Sequence, residues 1–380
     1  MNRRQSMQVL MAGGAILTLA GCDPMPAQAV AAWHGPDPSV RDARLRALSW
    51  AMLAASPHNQ QPWLADIRQP GVIMLYIDAA RLLPKTDPFN RQILIGCGGF
   101  LELLDMAAVA DGWYAAITLM PEGDYDPRGI DARPYARIEL RPGAERVPDS
   151  LFAYVRQRRT TRGVYRDATP GTVALKQLAE AATRPGVVLR STSAVAQVKR
   201  ISALAIAGLN VEFRTQATWE ESARLLRFGS RAIAAEPSGL AFTGPRFWLL
   251  RQLGMLAPAK LRDAKGSGPD QVLPDMTAAL HGTRAWLWLE TASNDRSGQL
   301  EAGRAFARTG LAAAATGLAL HPQSQVLQEF EQMNTLFAAI HHELGVARPG
   351  RVHMLVRVGY AEPPGPSPRL ALNAILARPV

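Results

Sequence analysis

The stretch Ser56-Pro57-His58-Asn59-Gln60-Gln61-Pro62-Trp63 follows directly on an apolar helical run at residues 45–55. Its two prolines restrict the backbone, and five of its first six residues carry polar side chains. Such a density of donors and acceptors predicts an irregular loop that binds a polar, planar ligand. The alternative is a capped turn whose polar groups satisfy one another.

Helices and short β runs alternate along the rest of the chain, which predicts an α+β layered fold. We expect helices at 40–55, 92–111, 150–158, 173–182, 194–216 and 298–316, and strands at 72–77, 115–120, 135–140, 186–190, 285–291 and 352–360. A Pro/Gly-rich break at 141–148 separates two half-domains, 40–148 and 149–380.

Two long helices, one in each half, share a glycine pattern. Gly98 and Gly112 are 14 residues apart, as are Gly303 and Gly317, and the residues between them are rich in Ala and Leu. Small residues let helix backbones approach closely, as at the centre of a dimer interface. The pattern predicts an internal duplication, although any two buried Ala-rich helices could share it.

A basic cluster opens the second half, Arg158-Arg159-Thr160-Thr161-Arg162. A phosphate dianion needs several donors, and the planar fork of arginine supplies paired ones. The alternative is a solvated charge cluster at a helix end, where the helix dipole favours cations.

The loop and the cluster together resemble elements of the nitroreductase-like flavoproteins, which are usually homodimers. In that family an "SPxNxQPW" loop of one subunit and an "RRSxR" element of the other bind the same FMN. Here both elements belong to one chain, as in the single-chain, Acg-type branch of the family. The resemblance covers residues 40–380 and implies a nitroreductase-like fold, an intrachain pseudo-dimer that is a monomer, and one FMN site per chain.

The resemblance also implies which residues bind FMN. Arg158, Arg159, Thr160 and Arg162 match positions that hold the phosphate and ribityl groups, and Arg369, after the closing strand, matches a late basic residue that reaches the phosphate. Pro322, Gln323 and Ser324 match a segment near flavin N5, although Gln323 and Ser324 depart from the glutamate-glycine of classical members. The cofactor-binding residues expected are Ser56, Asn59, Gln61, Arg158, Arg159, Thr160, Arg162, Pro322, Gln323, Ser324 and Arg369. No catalytic residue is assigned, since His321 could be either a proton donor or a helix cap.

The first 21 residues have the three parts of a signal peptide: Arg3-Arg4, an apolar run at 9–20, and Leu19-Ala20-Gly21 before Cys22. Leu-Ala-Gly-Cys resembles the bacterial lipobox, which implies that Cys22 is acylated and holds the protein on a membrane. The arginine pair resembles a twin-arginine export signal. An Ala/Pro-rich tether at 22–39 would follow, and the localisation expected is the periplasmic face of a bacterial membrane. The alternative is a plain secretory signal with an incidental cysteine.

Composition excludes several other classes of function. The net charge of +10 comes from arginines spread along the chain, which favours anionic ligands or lipid head groups, and no nucleic-acid motif is present. The seven histidines form no metal-spaced cluster, so no metal site is expected. Cys97, the other cysteine, is predicted to be a small buried hydrophobe without a disulfide partner.

Residues 224–271 have no counterpart in the first half. Rich in Gly, Pro, Met and aromatic residues, this insertion is predicted to be a lid over the flavin. A surface facing a partner or a membrane is the alternative, and Phe247-Trp248-Leu249-Leu250 would suit it equally well.

The function expected is an FMN-dependent oxidoreductase of the cell envelope that passes hydride through flavin N5 to a small acceptor, a nitroaromatic or a quinone. Soluble NAD(P)H is not expected outside the cytoplasm, so either the donor is something else, such as a quinol or a protein, or the lid blocks turnover. The alternative is a non-enzymatic lipoprotein that sequesters FMN. A structural lipoprotein with a decayed flavin site is the third hypothesis.

Overall fold

Each half of the chain builds a four-stranded antiparallel sheet. The computed structural model describes residues 23–143, 146–256 and 261–376, so the predicted signal peptide and Cys22 lie outside the described residues. In chain order the strands are β1 (Trp63–Asp66), β2 (Val72–Ile77), β3 (Trp113–Leu119), β4 (Ala136–Pro142), β5 (Val187–Thr192), β6 (Leu226–Phe228), β7 (Leu240–Phe242), β8 (Ala285–Thr291), β9 (Ala319–Pro322) and β10 (Arg351–Gly359). The α-helices are α1 (Ala27–Val30), α2 (Ala43–Ala51), α3 (Arg91–Ala110), α4 (Thr172–Ala181), α5 (Val195–Arg214), α6 (Gln216–Arg224), α7 (Ser230–Ala235), α8 (Pro245–Gln252), α9 (Ser267–His281), α10 (Arg296–Ala315) and α11 (Asn334–Glu343).

The two sheets have the same topology. The first runs β1-β2-β4-β3 and the second runs β5-β8-β10-β9, with every neighbouring pair antiparallel. The helix α3 connects β2 to β3, and α10 connects β8 to β9 at the corresponding place. This repetition confirms the predicted α+β class and the two half-domains that form an intrachain pseudo-dimer.

The helices α3 and α10 cross at the centre of the molecule. Both are 20 residues long, and each residue of α10 lies 205 positions after its counterpart in α3. A Cβ atom on Gly98 would lie 2.0 Å from the Leu300 carbonyl oxygen, and one on Gly303 would lie 2.0 Å from that of Ile95. These contacts are reciprocal, as across a two-fold axis, and they leave room only for glycine. The helix α3 is long and apolar enough to cross a membrane, but protein covers nearly all of it.

A buried ion network also joins these two helices. Arg304 Nε donates to Glu102 Oε2 at 2.7 Å, and Arg304 Nη2 donates to Asp105 Oδ2 at 2.9 Å. Arg308 Nη1 reaches the other oxygen of Glu102 at 2.9 Å. Burial alone would raise the pKa of Glu102, but Arg304 and Arg184 outweigh it and hold this pKa below its usual value. The carboxylates of this network come from the first half and the arginines from the second, so the network links the two halves.

The structure differs from the predicted tether at 22–39. Residues 27–34 form α1 and a 3₁₀ turn, and Trp33 is buried in the core of the first half. The Arg369 N–H donates to the Ala29 carbonyl at 2.7 Å, which ties this segment to the C-terminal tail. The Ala/Pro composition suggested a free linker, but the apolar side chains within it are packed against the body.

The domain boundary at 148/149 also needs correction, because the C-terminal tail returns to the first half. Leu370 and Ile375 belong to the first half's core. The Ala65 N–H donates to the Ile375 carbonyl at 2.7 Å, and Ala65 forms a parallel bridge with Leu376. The first half therefore includes a segment that is distant in sequence.

Several elements differ in extent from their predictions. The helix expected at 150–158 is a 3₁₀ turn, Ser150–Tyr154, and the helix expected at 194–216 ends at Arg214, where α6 follows. The predicted loop after α10 begins with β9, so Pro322 is the last residue of a strand. Cys97 is fully buried, as predicted.

Candidate cofactor site

The 56–63 loop has a strained backbone. His58, Asn59 and Gln61 have φ angles of 47°, 55° and 53°, and left-handed backbone costs a non-glycine residue about 1–3 kcal/mol. Ser56 Oγ accepts a hydrogen bond from the Gln61 N–H at 3.0 Å, which closes the loop on itself. Such strain persists where the surroundings fix the conformation, and it is typical of ligand-binding segments.

The amide side chains of this loop hold the C-terminal tail. Asn59 Oδ1 accepts from Arg369 Nη1 at 2.8 Å, and Asn59 Nδ2 donates to the Pro368 carbonyl at 3.1 Å. The fully buried Gln61 accepts from the Leu370 N–H at 2.9 Å. Asn59 and Gln61 therefore shape the site by fastening the tail to the loop.

The insertion covers the same loop. Asn59 Nδ2 donates to the Gly239 carbonyl at 3.2 Å, and the Gly239 N–H donates to the Asn59 carbonyl, also at 3.2 Å. Gln61 Nε2 donates to the Pro237 carbonyl at 3.0 Å. The segment 237–239 is thus the part of the insertion that closes on the loop.

Three arginines from two distant segments surround Trp33. The guanidinium carbons of Arg159, Arg369 and Arg158 lie 4.3, 5.1 and 6.0 Å from the centre of the indole ring. The Trp33 ring is fixed in place by its Nε1, which donates to the Ser367 carbonyl at 2.8 Å. The ring face attracts cations and so helps to gather like charges that would otherwise repel one another.

The Leu53 carbonyl joins the arginine cluster to the loop. Arg158 Nη2 and Arg369 Nη2 both donate to it, each at 3.2 Å. Arg369 also donates to Asn59, so one guanidinium contacts the arginine cluster and the 56–63 loop at once. The two sequence motifs, about a hundred positions apart, therefore form one site.

The cluster carries positive charge that no carboxylate neutralises in the part of the chain that the structure describes. Burial, and then the neighbouring Arg159, lowers the pKa of Arg158 to about 10. Burial, and then Arg158 and Arg159, lowers the pKa of Arg369 well below its usual value. An anion bound here would reverse these shifts, so the charge and the donors of the cluster fit a phosphate group.

Arg162 projects into a recess between the two halves of the site. Its side chain is exposed to solvent, yet desolvation lowers its pKa, so protein surrounds it without covering it. After desolvation, the charge of Arg162 further lowers the pKa of both His58 and His321. Arg162 therefore lies near the 56–63 loop and near the end of α10, and the half-buried Thr160 lies two residues before it.

Arg357 holds the backbone of this basic segment. Fully buried on β10, it donates through Nη2 to the carbonyls of Gly163 and Arg162, at 2.8 and 3.1 Å. Its guanidinium carbon also lies 4.1 Å from the centre of the Tyr165 ring. Through Arg357, the second sheet thereby fixes the backbone of the segment that carries Arg158, Arg159 and Arg162.

The segment 322–324 forms the opposite wall. Pro322 has no N–H, and the Gln323 N–H donates to the Leu355 carbonyl at 2.7 Å. Ser324 is the first residue of a 3₁₀ turn, where the N–H has no acceptor within the turn. Of the three expected backbone contacts, Ser324 is thus the one whose donor is available. His321 is buried within β9, and burial lowers its pKa well below the usual range, so its ring is neutral.

A polar chain that the sequence did not reveal links the loop to the second half. Ser222 Oγ donates to Glu212 Oε1 at 3.0 Å and lies 3.3 Å from His58 Nε2. Burial raises the pKa of Glu212 to about 7, whereas burial, followed by Arg162, lowers that of His58 to about 4. His58 is therefore neutral near pH 7, and Glu212 titrates there.

The buried polar atoms that have no hydrogen-bond partner among the described residues include His58 Nδ1, Gln60 Nε2 and Gln323 Oε1. Each unpaired group costs about 1–3 kcal/mol. They belong to the 56–63 loop and to the turn after β9, the two segments that flank Arg162. Together with the arginines they fit a ligand that has a phosphate and a planar ring rich in donors and acceptors.

The sequence motifs identified the loop, the arginines and the tail, but other contributors were missed. Trp33 stood in a stretch predicted to be a tether, and a lone tryptophan there was the available signal. The Leu53 carbonyl, Ser222 and Glu212 have no sequence signal, because a backbone oxygen is common to all residues and helical polar residues are usually solvated.

Comparison with known proteins gives relatives across almost the whole chain, although no protein-family model matches it. A candidate NAD(P)H nitroreductase of Mycobacterium tuberculosis is 30% identical over 358 residues, which cover 87% of this chain and 90% of the relative. The candidate NAD(P)H nitroreductase Acg of the same organism is 25% identical over 357 residues, covering 90% of this chain and 97% of Acg. The solved structure of the FMN-dependent nitroreductase NfnB from Mycobacterium smegmatis in complex with NADPH is 20% identical and covers 59% of this chain and 95% of NfnB, with a TM-score of 0.35. By its identity to the first of these relatives over nearly their full lengths, the chain belongs to the nitroreductase-like family.

Proposed function

We propose that the protein is an FMN-dependent oxidoreductase that passes hydride to a small acceptor of the nitroaromatic or quinone type. The observation that carries the proposal is the Leu53 carbonyl, to which Arg158 and Arg369 both donate while Arg369 also contacts Asn59. The names of the M. tuberculosis relatives, candidate NAD(P)H nitroreductases, support the same class of reaction.

The residues of the site divide the task of holding the cofactor. Among the described residues, the Arg158 side chain donates only through Nη2, so its other donors would bind the phosphate, with Arg159 and Arg369 adding charge. Arg162 and Thr160 would face the ribityl chain. The 56–63 loop with Ser56, and the segment Pro322, Gln323 and Ser324, would flank the ring. Bound FMN supplies two-electron redox chemistry, which no side chain of the site can provide.

Sequestration of FMN without turnover is the second candidate function. It is favoured by the insertion, whose Pro237 and Gly239 backbone atoms bind Gln61 and Asn59. A closed insertion would retain the cofactor and exclude acceptors.

One experiment separates the two candidates. Protein purified with its cofactor is reduced anaerobically and mixed with a nitroaromatic or a quinone while the flavin absorbance is followed. An oxidoreductase reoxidises within seconds; a storage protein stays reduced with every acceptor. A colourless protein that takes up no FMN on reconstitution would contradict both.

We also propose that the protein is exported and held on the periplasmic face of a membrane through acylated Cys22. The apolar run and Leu-Ala-Gly-Cys support this. Fractionation of cells that express Cys22→Ala tests it: the variant is expected in the soluble fraction, and continued membrane association would contradict acylation as the means of attachment.

A further inference from the structure

The helix α8 carries several large apolar side chains, and part of its surface is open to solvent in the described structure. It contains Phe247, Trp248, Leu249 and Leu250, yet none of its residues is buried. Leu249 and Leu253, four positions apart, project from the same side and are 43% and 58% exposed, and Met255 beyond them is 37% exposed. An exposed apolar face of this kind marks a binding surface.

The inner side of α8 is attached to the insertion by aromatic packing. Phe247 lies 5.0 Å from Phe242 and 6.0 Å from Phe228, measured between ring centres, and these two rings stack on β6 and β7 at 5.1 Å. The helix is therefore held by one side, while Leu249 and the following Leu253 face outward.

The first described residue of the chain is clamped to this helix. Asp23 Oδ1 accepts from the Ser230 N–H at 2.7 Å, and Asp23 Oδ2 accepts from Arg251 Nη1 at 3.0 Å. The Asp23 carbonyl accepts from the N–H of Gly244, the N-cap of α8, at 3.2 Å. Only glycine fits at position 229, because a Cβ there would lie 1.9 Å from Arg251 Nη1.

This clamp determines where an acylated Cys22 would enter a bilayer. Successive Cα atoms are about 3.8 Å apart, so an acyl anchor on the residue before Asp23 would start beside the N-terminal end of α8. No free tether intervenes, since the segment after Asp23 packs onto the body. The surface that surrounds the acyl chains is therefore that of α8.

Charge in this region suits the head groups of anionic lipids. Residues 224–256 contain five arginines and one acidic residue, Glu236. Arg224, Arg246 and Arg251 pair with Glu220, Asp275 and Asp23, which leaves Arg227 and the exposed Arg231 without a salt bridge among the described residues. Basic residues near a membrane surface contribute about 1 kcal/mol each through anionic lipids, and tryptophan favours the interface between head groups and acyl chains.

We propose that α8 and the turn with Leu253 and Met255 form a membrane-docking surface that rests in the lipid head-group region beside the acyl chains of Cys22. We call it the α8 surface. The proposal rests on the acylation proposed above, and it adds that the anchored protein has a fixed orientation on the membrane. The insertion then has two sides, with α8 on the bilayer and residues 237–239 on the 56–63 loop.

Labelling with a polarity-sensitive dye tests the α8 surface in the full acylated protein. Leu253→Cys introduces a single reactive thiol, because Cys97 is fully buried and the sulfur of Cys22 is acylated. Val173→Cys, at a position 71% exposed on α4, is the matched control. Both labelled proteins are incorporated into vesicles of phosphatidylcholine and phosphatidylglycerol in equal parts, and a head-group quencher is added to the lipid.

We expect a blue shift and several-fold stronger quenching for the label at position 253 than for the label at 173. Equal, water-like emission from both labels on vesicles that carry the protein overturns the α8 surface but leaves acylation standing. If neither protein floats with the vesicles, acylation is absent and the docking surface falls with it. A third outcome is a label at 253 that is already shielded from water in the absence of vesicles, in a protein whose mass in solution is that of two chains. It would show that α8 mediates self-association and would overturn the proposal.

Discussion

At the scale of single residues, the site depends on arginines that no carboxylate neutralises within the described part of the chain. Arg158 is buried with its charge uncompensated, and Arg162 stands in a recess without a partner among the described residues. Such groups gain most from binding an anion, since each charge-assisted hydrogen bond contributes about 1.5–3 kcal/mol. These arginines therefore keep guanidinium N–H donors that the described residues do not use and that an anionic ligand could accept.

We predict that the double substitution Arg158→Ala with Arg162→Ala lowers FMN affinity by at least two orders of magnitude, because two charge-assisted interactions are lost. The measurement is flavin fluorescence during equilibrium titration. The matched control is Arg156→Ala with Arg166→Ala, which removes the same charge from two exposed neighbours that contact Trp50 and Glu362. Equal losses in both variants would show that net charge, rather than the site, determines affinity.

Glu212 gives a prediction for pH dependence. Its folded pKa, about 7, exceeds its ordinary value of 4.5, so the folded state binds more protons than the unfolded state between these values. The free energy of unfolding therefore falls as pH rises from 4.5 to 7, by about 3 kcal/mol at most. Glu212→Gln lacks this contribution. The free energy of unfolding of the variant, relative to that of the wild type, should therefore increase as pH rises from 4.5 to 7.

Urea denaturation at several pH values measures this difference. The comparison with wild type is essential, because His58, whose pKa is lowered to about 4, contributes in the opposite direction and Glu221 also acts on Glu212. The contribution of His58 is shared by both proteins, whereas the effect of Glu221 on Glu212 is part of the measured difference. A difference that does not change with pH would mean that Glu212 titrates normally.

At the scale of elements, the long helices were the most predictable parts of the chain. Both α3 and α10 were expected within two residues of their observed ends, because long Ala- and Leu-rich stretches with a glycine just after the last turn leave few alternatives. The four-residue strands β1 and β9 were missed, since four residues show too little periodicity to be recognised. The helices of the insertion were missed as well, because they are short and rich in Gly and Pro.

We predict opposite effects for two adjacent glycines of α3. A Cβ on Gly98 would lie 2.0 Å from the Leu300 carbonyl oxygen, so Gly98→Ala forces the crossing helices apart and should cost about 1–3 kcal/mol or more. A Cβ on Gly99 would lie 3.6 Å from its nearest neighbour. Gly99→Ala should then be neutral or stabilising by up to about 1 kcal/mol, because alanine favours a helix.

Thermal unfolding of the two variants checks the helix crossing. Gly303→Ala should repeat the loss seen for Gly98→Ala, since its Cβ would meet the Ile95 carbonyl at the same distance. If Gly98→Ala and Gly99→Ala unfold at the same temperature, the close crossing of α3 and α10 is wrong.

At the scale of the whole molecule, the duplication was visible in the glycine spacing, but its consequences for the chain ends were not. The tail crosses to the first sheet, and Trp33 packs beneath the arginines. Such contacts depend on where distant segments meet, which local patterns do not record. The convergence of the two motifs could be expected from the resemblance, whereas the polar chain through Ser222 and Glu212 could not.

The duplication predicts one FMN per chain. The first half supplies the 56–63 loop, whereas the second half has only residues 182–186 between α4 and β5 at the corresponding place. A second complete site is therefore not expected. Flavin released by denaturation, compared with protein concentration, should give one equivalent on a monomer identified by analytical ultracentrifugation. Two equivalents, or a dimer that is needed for binding, would contradict the pseudo-dimer as a self-sufficient unit.

The repeated strand order has a genetic consequence. In a protein made of two identical subunits, every codon change alters both active centres at once. Here the two sheets are encoded by separate stretches of one gene, so each can mutate while the other is preserved. One half could thus specialise in presenting amides and the other in presenting cations, and a long insertion could be accepted on one side alone.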